Sequence, residues 1–276
     1  MWQWLKGHKL AVAGSLLLLL LSATAILVPV CSAYSYSDQN AHLQNAPASL
    51  IHLFGTDKFG RDIFVRTWYA ARISLMIGLG SMIVNGVIGV LYGGIAGYAG
   101  GKTDFILMGA ADIIVSIPSL LYVILITLTL GQNAGSILLG ICISGWIGTA
   151  RVVRGEVRRM KQMEFVSAAR LAGVPRRIIF FRHLLFNAAG PIIVNLTFQI
   201  PQAIFTEAFL SFVGVGIEAP AASLGTLIRE AKSQIQLYPA QMLYPILILC
   251  LLILAVNLIG IDLERSFKIR KEGLMK

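Results

Sequence analysis

The 276-residue chain is 57% apolar before its 27 glycines are counted, and only 13% of its residues are charged. Globular domains are about 45–50% apolar with glycine included and about 25% charged, so disorder, collagen, coiled coil and a soluble enzyme are excluded. With three cysteines a disulfide scaffold is excluded too, and a mean hydropathy of +0.77 leaves a membrane protein.

Five stretches carry no Asp, Glu, Lys or Arg: 11–37, 73–101, 113–150, 183–206 and 233–261. A membrane-spanning helix needs about 20 mainly apolar residues, and all five are long enough. The third would make one helix of about 57 Å, too long for a single crossing. The turn chemistry of Gly131-Gln132-Asn133-Ala134-Gly135 divides it. Six helices result, near 11–31, 73–97, 104–130, 136–155, 188–212 and 242–261. The fold class is an all-α, polytopic membrane bundle; a barrel would show period-two alternation, and none is present. The first apolar run, Ala11–Val30, exceeds the about 7–15 residues of a signal peptide and is read as a retained span.

With the N-terminus in the cytoplasm, seventeen of the 23 basic residues fall on that side. These include Lys6, Lys9, Lys102, nine residues within 151–182 and five from Arg265 onward. Only Lys58, Arg61, Arg66, Arg72, Arg229 and Lys232 fall outside. The net charge of +10 is therefore topological, obeying the positive-inside rule, and is no nucleic-acid footprint. Both termini are expected in the cytoplasm. Ala96 to Thr103 comes within one residue of a phosphate loop, but it joins two membrane helices and is read as a tight turn. No cysteine or histidine spacing suggests a metal site, and no catalytic cluster is visible.

Within 151–182, residues 164–173 read as a short helix. Glu164 suits the dipole of its first turn, Gly173 the C′ position, and Pro175 follows as a stop. Phe165, Ala168, Ala169 and Ala172 share one face at helical spacing. Such a shallow face fits a groove on another protein, or it rests at lipid headgroups.

The run from Glu164 to Asn187 resembles the EAA motif of ABC-importer permeases. Ser167, Ala168 and Ala169 stand at the EAA positions and Gly173 at its glycine. The resemblance implies a coupling helix that docks into an ATPase subunit. Ser167 departs from the usual Glu, and Phe186 stands in place of a proline that Pro191 can replace. Gly55, Thr56, Asp57, Gly60, Arg61 and Asp62, followed by Arg66, Ala71-Arg72 and Ser74-Leu75, are similar to the GTDxxGRD…GARxSL signature of C-type permeases in peptide and nickel importers. Leu210–Gly216 and Asn257–Gly260 resemble two further motifs of that subfamily.

This resemblance implies the type I ABC-importer permease fold. Three parts follow: residues 1–72 with the first helix and an external segment, the transmembrane domain at 73–263, and a cytoplasmic tail at 264–276. It implies a bacterial or archaeal plasma-membrane protein importing peptides or a nickel chelate. Its partners would be a second homologous permease, two ABC ATPases holding ATP and Mg, and an extracytoplasmic solute-binding protein. The chain itself would bind no cofactor and catalyse no reaction. A stand-alone ion-driven transporter is the alternative, but it would show inverted repeats, and none is evident.

Some residues stay open. Asp112, inside a span, either lines a substrate path or pairs internally near the cytoplasmic half. Glu207 either belongs to that path or sits at a solvated outer helix end. His52 and His183 are read as solvated or anchoring, and Pro118, Pro201 and Pro245 as kinks. Glycines 78, 80, 86, 89, 93, 94 and 97 allow helix two a close neighbour, in this chain or another.

Overall fold

In a computed structural model that describes residues 8–273, each expected span is helical, since lipid offers the backbone no hydrogen-bond partner. Lys6, Lys276 and the rest of 1–7 and 274–276 lie outside the described residues. In chain order the helices are α1 (Lys9–Cys31), α2 (Ile63–Ala99), α3 (Gly101–Val115), α4 (Ser119–Leu130), α5 (Ala134–Lys161), α6 (Glu164–Leu171), α7 (Arg176–Val213), α8 (Leu224–Lys232) and α9 (Pro239–Gly273). Among the described residues α1, α2, α5, α7 and α9 are each long and apolar enough to cross a membrane. The pair α3–α4 supplies the sixth crossing, broken by a 70° bend. Pro118 sits in that break, without an N–H and unfavourable to helix in the residue before it.

Several helices outrun their charge-free cores. The second helix begins at Ile63 rather than 73, so the expected boundary at 72/73 falls inside α2. Asp62 caps this start, its Oδ1 accepting the Val65 N–H at 2.8 Å. Likewise α5 reaches Lys161 rather than 155, and α7 starts at Arg176 rather than 188. A charge does not end a helix. Pro191 lacks an N–H, and α7 widens to a π-helical stretch at Ile179–Leu185 just ahead of it.

α2 is central, packing most extensively on α5 and also on α7 and α1, while α9 lies against α1 and α7. Its glycines are used inside the chain. A Cβ on Gly93 would lie 2.1 Å from the Ala150 carbonyl oxygen, and one on Gly89 2.6 Å from Thr149 Cβ. Glycine thus brings α2 and α5 to backbone contact. The glycine face asks for no second protein. The turn at 96–103 has a helix on each side and no preceding strand, which removes the phosphate-loop reading.

Candidate functional site

α6 hangs between α5 and α7 and is held by its own sequence. Val174 N–H bonds the Ala169 carbonyl at 3.1 Å and Gly173 N–H the Arg170 carbonyl at 3.0 Å, a Schellman cap. Gly173 has φ +76°, while a Cβ there would meet nothing within 4 Å, so the backbone and not space requires glycine. Val166 is fully buried and Ala169 partly, packed among Val157, Met160 and Ile179. Glu164, Phe165, Ser167, Ala168, Leu171 and Ala172 are exposed. The expected common face therefore splits. Ala169 turns inward with Val166, and the outward surface is Phe165, Ala168 and Ala172 with Glu164 and Leu171.

Charges lock the surrounding helices. Asp104, in the first turn of α3, accepts two bonds from Arg154 at 2.5 and 2.7 Å and a third from Arg158 at 3.5 Å. Lys161 Nζ donates to the Tyr98 carbonyl at 2.5 Å, where the C-terminal carbonyls of α2 lack helical partners. Asp112 does pair, with Arg151 at 2.7 Å, yet the two side chains are 63% and 49% exposed. Pairing there is not burial.

The opposite end holds the segment from Gly55 to Asp62. Asp57 Oδ1 accepts the Phe59 and Arg61 N–H groups at 2.8 and 3.0 Å, closing a turn in which Gly60 has φ +72°. Asp57 Oδ2 accepts Arg61 Nε at 2.6 Å. Arg61 continues to Glu230 of α8 at 2.5 Å, and buried Arg66 reaches the same carboxylate at 3.1 Å and the Tyr36 carbonyl at 2.9 Å. Thr56 donates through its hydroxyl to the Leu43 carbonyl, and its own carbonyl accepts from Gln241. The motif is a structural staple between the 32–62 segment, α2 and α8.

Two expectations need correction here. Glu207 is not at a solvated helix end: it is fully buried, accepting bonds from Ser74 and Ser211 at 2.8 Å each. His52 is buried rather than solvated, with Nδ1 2.7 Å from Asp62 Oδ2, because α2 starts early enough to bring Asp62 beside it. His183 is half-buried, its carbonyl accepting from Asn187. Sequence reasoning also missed a polar cluster inside the bundle. Thr149 Oγ1 donates to Asn195 at 3.1 Å, and Gln199 donates to both. Neighbouring Asn85 Oδ1 and Gln199 Oε1 have no partner among the described residues. Amides inside charge-free runs were the available signal.

A helical bundle of this kind, with a capped amphipathic helix exposed at one end, defines a polytopic membrane protein. Residues 89–268 match the binding-protein-dependent transport system inner membrane component family, and residues 1–48 match the N-terminal transmembrane domain of oligopeptide transport permease C. The oligopeptide transport system permease protein OppC of Bacillus subtilis (strain 168) is 41% identical, over 96% of this chain and 88% of that protein. The dipeptide transport system permease protein DppC of the same organism is 41% identical, over 95% and 82%. OppC of Escherichia coli (strain K12) is 36% identical over 92% and 84%. The chain belongs to the binding-protein-dependent inner membrane permease family. It is a transport component and not an enzyme.

Proposed function

We propose that the chain is one of two permease subunits in an ATP-driven importer of di- and oligopeptides. The peptide systems named for its relatives support that substrate class over a nickel chelate. A solute-binding protein delivers the peptide to the face bearing Asp57 and Arg61. Two ATPase subunits, which hold ATP and Mg, engage α6. Both termini and α6 lie in the cytoplasm of a bacterial or archaeal cell, consistent with the basic residues of that end.

The observation that carries this reading is the outward surface of α6: two alanines and a phenylalanine on a rigidly capped helix, with the inner side already packed. ATPase closure would pull this helix and, through its packing on α5 and α7, rock the spans. Asp112 and Arg151 line the translocation path in this reading. Arg151 lies ten residues before the end of α5, roughly 15 Å along it. An exposed ion pair at that depth is costly against lipid, so water or the second permease faces it. Glu207, enclosed by its own chain, stabilises the bundle instead.

Ala168→Trp tests the assignment. Ala168 points outward, so the chain should insert and fold, whereas ATPase co-purification and substrate-stimulated hydrolysis should fall sharply. Capture of peptide by the binding protein should stay normal. Headgroup burial would accept the tryptophan, so wild-type coupling in this variant would remove α6 from the ATPase interface. Ala169→Trp is unsuitable, since it would disturb the chain's own packing.

A further inference from the structure

At the α6 end two depressions meet beside α2. The first, about 630 Å³, is bordered by Lys161 of α5, Arg170 of α6 and Arg176 of α7. The second, about 240 Å³, runs along Ile95, Phe180 and Phe181, and shares Tyr98, Ala99 and Arg176 with the first. No acidic residue borders either one among the described residues. Four arginines at this end are matched: Arg151 with Asp112, Arg154 and Arg158 with Asp104, Arg159 with Glu156. Arg170, Arg176 and Arg177 form no ion pair among the described residues. The apolar depression opens onto the flank of α2 that presents Val87, Leu91 and Ile95, each exposed in the chain. A cationic hollow at a span's end thus continues into an apolar channel along the span.

We propose that these joined depressions bind one anionic phospholipid, its phosphate held by Lys161, Arg170 and Arg176 and an acyl chain lying along Ile95, Phe180 and Phe181. Basic hollows between spans at a cytoplasmic surface suit anionic headgroups, and basic side chains there are drawn to the negative leaflet. A free phosphate would use the charges but not the aromatic channel. The three basic residues come from α5, α6 and α7, so a bound headgroup would tie the docking helix to the bundle on both of its sides. The assignment rests on the proposed cytoplasmic placement of this end, and it stands or falls apart from the peptide reading.

The intact chain, purified with its partner subunits in a mild detergent, can be titrated with phosphatidylglycerol or phosphatidylcholine and bound lipid counted by native mass spectrometry. One phosphatidylglycerol should remain at concentrations where phosphatidylcholine is lost. R170Q/R176Q should weaken its retention about tenfold or more, as should F181Q, which leaves every charge in place. K9Q/R265Q, removing two exposed charges from the same end but outside the hollow, should bind as wild type. Equal retention of both lipids, or unaltered binding by R170Q/R176Q, would overturn the site. Displacement by inorganic phosphate alone would assign a free anion instead. Binding seen only after the ATPases are stripped would assign the hollow to their acidic side chains.

Discussion

At one end of the bundle Arg61 and Arg66 converge on Glu230 and Asp57, and those four side chains neutralise one another inside the fold. At the other end Arg170 of α6 and Arg176 of α7 stand open, and α6 buries Val166 while leaving Ala168 and Ala172 uncovered. The first arrangement completes itself and offers a partner mainly shape. The second leaves both charge and apolar surface unsatisfied within the chain. Substitutions should therefore damage the chain itself at the first end and its dealings with neighbours at the second.

The largest effect should come from Arg66→Met. Arg66 is 2% exposed, and removing one member of a buried ion network costs about 3–5 kcal/mol. Glu230 is partly solvated, which places this case near 3 kcal/mol. Thermal unfolding of the purified complex should show the loss, and adding Glu230→Gln should recover part of it by restoring neutrality. If the pair of changes is simply additive, the network is not coupled. Gly93→Leu comes next. Its Cβ would lie 2.1 Å from a backbone oxygen of α5, so the helices must separate, at about 1–3 kcal/mol. Gly109→Ala is the control, since a Cβ there meets nothing within 4 Å.

At the open end Gly173→Val should strain only the Schellman turn, by about 1–3 kcal/mol, because space is free but φ is positive. Asparagine tolerates that conformation, so Gly173→Asn should cost less. Amide exchange should report the difference as fraying of α6 with global unfolding unaltered. A matching drop in global stability for both variants would mean that the turn supports the core.

What was legible follows from range. Glu164, Gly173 and Pro175 announce α6 because capping is local chemistry, settled within a few residues. Asn133, Pro118 and the apolar runs place the spans for the same reason. The true start of α2 was hidden because Arg66 and Arg72 read as loop, although Asp62 carried a capping signal. The Arg61–Glu230 and Arg66–Glu230 bonds join residues 169 and 164 positions apart, and no periodicity relates them. Glu207 reads as a helix-end carboxylate until Ser74 and Ser211 are folded against it. Asn85, Thr149, Asn195 and Gln199 escaped because a search for missing charges passes over neutral amides and hydroxyls.

The smallest stability effect should be at Asp112 and Arg151. Their bond is short, but both side chains are about half exposed or more, and exposed ion pairs contribute about 0.2–1 kcal/mol. Asp112→Asn should thus unfold within about 1 kcal/mol of wild type, unlike Arg66→Met at the closed end. Position should matter more than strength. In a background with Cys31, Cys142 and Cys250 replaced, Asp112→Cys in the assembled transporter should react with a water-soluble, membrane-impermeant thiol reagent. Bound peptide should slow that reaction if the pair lines the path. A cysteine facing lipid would be inert, since the thiolate that reacts does not form in hydrocarbon. An inert residue would place the pair against another protein's side chains or the bilayer, and the path would have to be sought near Asn85, Thr149 and Gln199 instead.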